Sequence, residues 1–169
     1  MMKIINILDT SALLVLLNPE GKNVTCNHVL YEIKNDYIRN LITSMCDAEI
    51  IRLEEPDDKY IEEALIIASK IGEAPRLSEA DLHIIALAIK YNSSKTNKIT
   101  VYTDDYAIQN ILSHLNIEFQ HIRRRISGKM VWLFICHNCK HTYYNVKTLI
   151  CPKCGEALTR KPVHKNSFT

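Results

Sequence analysis

The sequence contains no apolar run long enough to cross a membrane. Its longest nearly unbroken apolar stretch extends from Leu82 to Ile89 and is interrupted by His83, whereas a membrane-spanning helix needs about 20 apolar residues. The sequence also lacks a signal peptide, because the apolar N-terminal run is short and contains Asn6 and Asp9. We therefore expect a cytoplasmic protein whose thiols stay reduced.

Acidic residues are nearly absent from the C-terminal part of the chain. Residues 121–169 hold ten Lys and Arg but a single acid, Glu156, whereas residues 1–120 hold 11 basic and 18 acidic residues. The length of 169 residues and the hydrophobic content of 47% are typical of one globular domain with a small appendage. An acidic body joined to a basic C-terminal part indicates two separate tasks.

Segments with strand and helix character alternate along the first 122 residues. Short apolar runs predict four strands, at residues 3–8, 49–53, 98–102 and 117–122. Helical patterns cover residues 12–17, 28–39, 41–45, 59–71, 78–91 and 106–115. This alternation predicts an α/β fold in which a mostly parallel sheet is flanked by helices.

The central predicted helix lies within residues 77–91. Ser78 is a favourable N-cap, and Asp81 follows it at the spacing of a capping box. Because the helix is apolar on nearly every face, it is expected to be buried. The sequence thus predicts a carboxylate in the first turn of a buried helix.

Several acids fall where an α/β sheet builds its sites. Asp9 follows the first predicted strand, Asp104 and Asp105 follow the third, Asp81 opens the buried helix, and Glu32 lies in a helix after the first strand. The carboxyl ends of parallel strands and the N-termini of the following helices share one edge. Clustered carboxylates repel one another and need a cation. Oxygen ligands select Mg²⁺ or Mn²⁺, which support phosphodiester hydrolysis.

Two of these acids also have structural interpretations that involve no metal ion. Asp9 precedes a predicted helix, where an aspartate is a common cap. Glu32 alone resembles any solvated acid on a helix. On the local sequence, the cap and the metal ligand are about equally supported for Asp9.

Four segments resemble the PIN-domain nucleases: ILDTSALL at 7–14, VLYEI at 29–33, LSEADLHIIALA at 77–88 and VYTDDYAIQN at 101–110. The resemblance implies catalytic, metal-binding acids at Asp9, Glu32, Asp81 and the Asp104–Asp105 pair. It also implies that hydroxyls orient these acids, at Thr10, Ser11 and Thr103. The Thr-x-Asp pattern usual in the family favours Asp105, and the sequence leaves Asp104 open as the alternative.

Four cysteines form two Cys-x-x-Cys pairs, Cys136 with Cys139 and Cys151 with Cys154. Their spacing predicts a structural zinc ribbon with one Zn²⁺, and disulfides are the less favoured alternative in a reducing compartment. The segment is too short to fold on its own core, so zinc should supply much of its folding free energy. The two remaining cysteines, Cys26 and Cys46, are expected to be buried apolar residues.

Basic and aromatic residues are mixed in this C-terminal segment, a composition suited to single-stranded RNA. The residues predicted to bind RNA are Arg123, Arg124, Arg125, Lys129, Lys140, Lys147 and Lys153. Trp132 is expected instead in the small core of the ribbon. Residues 160–169 have no periodicity and are expected to be a disordered tail.

The predicted organisation is a nuclease domain over residues 1–122, a basic hinge at 123–130, the ribbon at 131–159 and the tail. This order resembles the Nob1 family of rRNA-processing endonucleases in its short archaeal form. The resemblance implies precursor 16S rRNA in the small ribosomal subunit as substrate, with Mn²⁺ or Mg²⁺ at the acids. Two alternatives remain: a toxin-type PIN ribonuclease and a non-catalytic RNA-binding assembly factor.

Overall fold

The computed structural model describes residues 3–94, 96–123 and 129–163. Its strands are β1 (Lys3–Leu8), β2 (Lys22–Thr25), β3 (Ile51–Leu53), β4 (Asn97–Tyr102), β5 (Phe119–Gln120), β6 (Val131–Cys136), β7 (Thr142–Tyr143) and β8 (Leu158–Val163). Its helices are α1 (Thr10–Leu14), α2 (Asn27–Glu32), α3 (Asp36–Asp47), α4 (Asp58–Ile71), α5 (Glu79–Ser93) and α6 (Tyr106–Leu115), with a 3-10 turn at Ala74–Arg76.

The first five strands form one parallel sheet in the order β3-β2-β1-β4-β5. The chain moves outward from β1 through β2 to β3, and then crosses to β4 on the other side of β1. Helices cover the sheet, so the predicted α/β fold is confirmed. The direction of strand order reverses between β1 and β4, and ligands of open α/β sheets bind at such a reversal.

Helix α5 is the buried centre of this unit, as the sequence predicts. Eight of its 15 residues are buried, and Ile84, Ile85 and Leu87 are completely enclosed. Each fully buried aliphatic side chain stabilises the fold by about 1.5–3 kcal/mol. The predicted capping box is present, since the Ser78 hydroxyl accepts from the Asp81 N–H and the Asp81 carboxylate accepts from the Ser78 N–H.

The first crossover differs from the prediction. Strand β2 was not predicted, because Lys22 and Asn23 break the apolar pattern. It forms because the Asn23 side chain accepts a hydrogen bond from Asn6 of β1 while the backbones pair. The predicted helix over residues 28–39 is two helices, because Asn35 caps the N-terminus of α3.

The remaining strands form an antiparallel sheet in the order β7-β6-β8. Its small core contains Phe134, Val146, Leu158 and two of the cysteines. The expectation that the tail begins at residue 160 is wrong for residues 160–163, which continue β8 and pair with β6. The backbone ladder with β6 orders this basic stretch. The rest of the predicted tail, 164–169, lies outside the described residues.

No helix within residues 3–94, 96–123 and 129–163 has both the length and the apolar character needed to cross a membrane.

Candidate active site

The carboxyl ends of β1 and β4 bring together acids that are far apart in the sequence. These strands pair along their whole length, from Lys3 opposite Asn97 to Leu8 opposite Tyr102. The Asp9 N–H extends the pairing by donating to the Tyr102 carbonyl at 3.1 Å. Asp9 and the Thr103–Asp105 segment therefore leave the sheet side by side at the reversal of strand order.

Asp9 is buried and held by three donors. Its Oδ1 accepts from the Thr10 N–H at 2.6 Å, and its Oδ2 accepts from the hydroxyls of Thr103 at 2.6 Å and Ser11 at 3.5 Å. Burial raises the pKa of Asp9 to about 6, although the Thr103 and Thr10 hydrogen bonds lower it, and the charges of Asp81 and Asp105 raise it further. Asp9 is thus both a helix cap and a member of a repelling acid cluster.

Glu32 and Asp81 face the same site from α2 and α5. The Thr10 hydroxyl donates to Glu32 Oε2 at 3.0 Å, which connects the end of α2 to the first turn of α1. Burial raises the pKa of Asp81, and the charges of Asp105 and Glu32 add to the increase. The hydroxyl contacts of Thr10, Ser11 and Thr103 with the carboxylates are those that the sequence predicts.

The two adjacent aspartates after β4 have different partners. Asp105 caps α6, where its Oδ1 accepts from the N–H groups of Ala107 and Ile108. Asp104 Oδ1 accepts instead from the N–H groups of Ile122 and Arg123, at 2.8 and 2.7 Å. Asp104 therefore fastens the chain after β5, whereas the charge of Asp105 acts on Asp9 and Asp81.

The donor chemistry of the acid cluster suits a hard divalent cation. All its candidate ligand atoms are carboxylate oxygens, and burial and mutual repulsion raise the pKa of two of the acids. Among the described histidines, cysteines, aspartates and glutamates, only two other groups of three or more have ligand atoms that all lie within 4.8 Å of one another. No three acids of the acid cluster therefore converge that closely. Because Mg²⁺ keeps several of its waters, acids at such a spacing can hold it partly through water.

The four cysteines of the C-terminal sheet converge. Their sulfurs all lie within 4.8 Å of one another, with 3.4 Å between Cys136 and Cys154 and 3.6 Å between Cys139 and Cys151. A tetrahedral zinc site with Zn–S bonds of about 2.3 Å has S–S edges of about 3.8 Å. All four thiols are free, and Gly155 adopts φ +74° in the turn after the last of them. The arrangement fits a closed structural zinc site.

Cys151 is a buried cysteine of this site, and its replacement tests the zinc assignment. Burial raises its pKa, but hydrogen bonds from the Tyr143 hydroxyl and from backbone N–H groups outweigh burial and lower the pKa to about 6. Cys151→Ser should bind one zinc ion per chain fewer than the wild type, because binding and folding are coupled in such modules. Metal analysis after dialysis measures this. Cys46→Ser is the control, and full zinc retention in Cys151→Ser would contradict the assignment.

Sequence reasoning missed an acid that joins the two sheets. Glu73, just after α4, is 3% exposed. Its Oε1 accepts from Asn110 Nδ2 at 2.8 Å and Trp132 Nε1 at 2.6 Å, and its Oε2 accepts from Arg160 at 3.0 Å. The Arg160 guanidinium lies 3.6 Å from the centroid of the Trp132 ring. Trp132, expected only in the ribbon core, therefore also contacts the nuclease unit, and no local pattern around residue 73 signals this.

The chain entering β6 is also held on the nuclease unit. Asn110 of α6 accepts from the Met130 N–H at 2.8 Å and donates to the Met130 carbonyl at 3.0 Å. Lys129 Nζ lies 3.3 Å from the Asn116 side-chain oxygen. The hinge predicted over 123–130 is thus fastened at its C-terminal end, and its residues 124–128 lie outside the described part of the chain.

The side chains predicted to bind RNA are exposed where the structure describes them, at Arg123, Lys129, Lys140, Lys147 and Lys153. Arg124 and Arg125 lie outside the described residues. Tyr144, which directly follows β7, is 59% exposed, whereas Tyr143 is half-buried against Cys151. The loops around the C-terminal sheet therefore present lysines and the Tyr144 ring to solvent.

Comparison with known proteins adds a family and several relatives. The family described as the PIN domain of ribonuclease matches residues 6–91. Endoribonuclease Nob1 of Methanocaldococcus jannaschii is 34% identical over 94% of this chain and 78% of its own length. Endoribonuclease Nob1 of Pyrococcus abyssi is 30% identical over 99% of both chains. Ribonuclease VapC1 of Thermoplasma acidophilum is 32% identical over 92% of this chain and 77% of its own length.

Proposed function

The chain belongs to the Nob1 family of PIN-domain endoribonucleases, and from that premise we propose that it matures the 3′ end of 16S rRNA in the small ribosomal subunit. RNA is its substrate, and hydrolysis of a phosphodiester is its reaction. The observation that supports the proposal most is the position of Asp9, Asp81 and Asp105 near one another where the strand order reverses: burial raises the pKa of Asp9 and Asp81, and the charge of Asp105 raises both further. We further propose a cytoplasmic location.

We propose that Asp9, Glu32, Asp81 and Asp105 hold Mn²⁺ or Mg²⁺, and that the four cysteines hold one Zn²⁺. The choice of Asp105 over Asp104 rests on their surroundings. Asp105 caps α6 where its charge raises the pKa of Asp9 and Asp81, whereas Asp104 fastens the backbone at Ile122 and Arg123.

The residues of the chain position the reaction. Thr103 and Thr10 hold the Asp9 and Glu32 carboxylates by the hydrogen bonds described above, so the acids are oriented before RNA binds. A bound divalent ion supplies an activated water and stabilises charge on the phosphate during in-line attack. Water would attack phosphorus as the bond to the 3′ oxygen breaks; the water would lose a proton and the 3′ oxygen would gain one, which gives 5′-phosphate and 3′-hydroxyl ends.

The zinc ribbon is proposed to position the RNA. The exposed lysines of its loops would attract phosphates, and Tyr144 would offer a ring for base stacking. The chain then consists of a nuclease domain over 1–122 and a ribbon that, with β8 complete, extends to residue 163. We also propose RNA contacts in the segment between the two domains, at Arg123, Arg124 and Arg125.

The test is cleavage of an end-labelled RNA that spans the 3′ end of 16S rRNA, with Mn²⁺ present. The wild type should give a single cut at the mature end, and Asp81→Asn should lose it. A product with a 3′-hydroxyl end is expected. Asp81→Asn keeps an oxygen for the Ser78 N–H, so helix α5 should remain capped. Equal cutting by both proteins would contradict the proposed site.

The toxin-type alternative has one specific observation in its favour. The match to ribonuclease VapC1 covers 92% of this chain and therefore extends beyond the nuclease domain into the cysteine-containing C-terminal part. Domain content alone therefore does not separate the two functions. The position of the cut does, because a toxin-type enzyme would cleave RNA unrelated to the 3′ end of 16S rRNA.

A further inference from the structure

Two histidines and a glutamate converge outside the acid cluster. His28 lies in α2, His83 lies in α5, and Glu55 follows β3. Their candidate ligand atoms all lie within 4.8 Å of one another. We propose that His28, Glu55 and His83 bind a divalent transition-metal ion of the zinc type, at a site separate from the acid cluster.

The spacing of the three side chains suits such an ion. Glu55 Oε2 lies 2.9 Å from His83 Nδ1 and 3.9 Å from His28 Nδ1. A tetrahedral zinc ion with nitrogen and oxygen ligands at about 2.0–2.2 Å has ligand–ligand edges of about 3.4 Å. The two observed separations lie on either side of this value. Small shifts of side chains would therefore complete three corners of the tetrahedron.

His28 supplies the strongest sign of a ligand. Its Nδ1 is buried from solvent and has no hydrogen-bond partner within the described part of the chain. An unsatisfied buried polar atom destabilises the fold, and a bound ion would satisfy it. The two imidazole rings lie close together, with centroids 3.9 Å apart. A simple hydrogen-bonded cluster would account for His83 and Glu55 but would leave His28 Nδ1 without a partner.

The carboxylate is already oriented, and the site is accessible. Glu55 Oε1 accepts from the Asn27 backbone N–H at 2.9 Å, which directs Oε2 toward the imidazoles. Ligands that are oriented by hydrogen bonds bind a metal more tightly than ligands without such partners. The side chains of Glu55 and His28 are 41% and 39% exposed, whereas His83 is 11% exposed. An ion can therefore reach the site from solvent, and a water can occupy the fourth position.

The donor set separates this site from the acid cluster. Imidazole nitrogens favour Zn²⁺, Ni²⁺ or Co²⁺, whereas carboxylates alone favour Mg²⁺ or Mn²⁺. The two histidines also lie on the helices of two proposed catalytic acids, since His28 is one turn before Glu32 and His83 is two residues after Asp81. A bound ion would join α2 to α5 and fix the separation of those acids.

The experiment is a calorimetric titration of the full chain, with its ribbon zinc bound, by Zn²⁺ in millimolar Mg²⁺. One additional Zn²⁺ site per chain is expected. Loss of an outer partner of a metal ligand already weakens affinity 10–100-fold, so His28→Ala and Glu55→Gln should each weaken the site by at least about 100-fold. His121→Ala, which removes an exposed histidine elsewhere, should leave it unchanged.

Two results would overturn the proposal. One is the absence of an additional site in the wild type. The other is equal affinity in His28→Ala, which would place the bound zinc at the acids or on the surface. Glu55→Gln keeps an oxygen for the Asn27 N–H and so preserves the start of α2, and circular dichroism checks the fold of each variant. The titration needs no RNA, so its outcome is independent of the proposed cleavage.

Discussion

Replacement of Asp9 by asparagine is expected to abolish RNA cleavage without unfolding the protein. Asparagine keeps an oxygen for the Thr10 N–H and is as good a helix cap as aspartate. It removes the charge that a divalent ion would bind. Loss of an outer hydrogen-bond partner of a metal ligand already lowers metal affinity or activity about 10–100-fold. Loss of a ligand itself should therefore lower the cleavage rate by more than about 100-fold. RNA affinity should stay the same or increase, because a negative charge near the phosphates is removed.

The measurement is single-turnover cleavage of the end-labelled RNA, together with RNA binding and thermal unfolding. Asp57→Asn is the control for the same replacement at a helix N-terminus, because Asp57 precedes α4 but is exposed, makes no capping hydrogen bond and lies outside the acid cluster. If Asp9→Asn unfolds the protein while Asp57→Asn does not, Asp9 serves the fold rather than the reaction. If Asp9→Asn folds and still cleaves at the wild-type rate, the proposed acid site is wrong.

The acid cluster could be predicted because its geometry follows from local rules. Asp9 and Asp105 each stand between a strand and a helix, where an acid caps the helix, and parallel strands place such positions at one edge. Asp81 could be placed because the capping box fixes the start of α5. Helix α6 has the predicted bounds because Asp105 caps its N-terminus and Asn116, in the left-handed conformation, terminates it.

The first crossover could not be predicted, because tertiary pairing overrides weak local preference there. In β2, Val24 and Thr25 are fully buried, but the preceding Lys22 and Asn23 resemble a loop. The strand exists because β1 and β3 flank it on both sides. The separation of α2 from α3 likewise depends on Ile33, which is buried in an extended conformation between them.

The contacts of the ribbon with the nuclease unit are the least predictable feature. They join residues 73, 110, 130, 132 and 160, and no periodicity or spacing relates these positions. The C-terminal strand was missed for the same reason, since Arg160 and Lys161 look like a solvated basic tail. Only the pairing with β6 and the approach of a buried acid give this segment a structure.

Replacement of Glu73 by alanine is expected to release the ribbon from the nuclease unit. The Glu73 side chain is 4% exposed and that of Arg160 is 19% exposed. Removing one partner of a buried ion pair costs about 3–5 kcal/mol, and the partial exposure of Arg160 places the expected loss at the lower end. Alanine would also leave Trp132 Nε1 and Asn110 Nδ2 without their shared acceptor.

Trp132 is the only tryptophan of the chain, so its fluorescence reports this contact directly. Release should shift its emission to longer wavelength while the zinc content stays constant, because no cysteine contacts Glu73. Glu73→Gln should give a smaller shift, since it keeps an acceptor for Trp132 but loses the charge opposite Arg160. Glu63→Ala, at an exposed acid of α4, should leave the spectrum unchanged. An unshifted spectrum in Glu73→Ala would mean that two other contacts hold the ribbon without the acid. One is the packing of Gly72 against Trp132, which is so close that an added Cβ would lie 2.7 Å from the Trp132 side chain. The other is the hydrogen bonding between Asn110 and Met130.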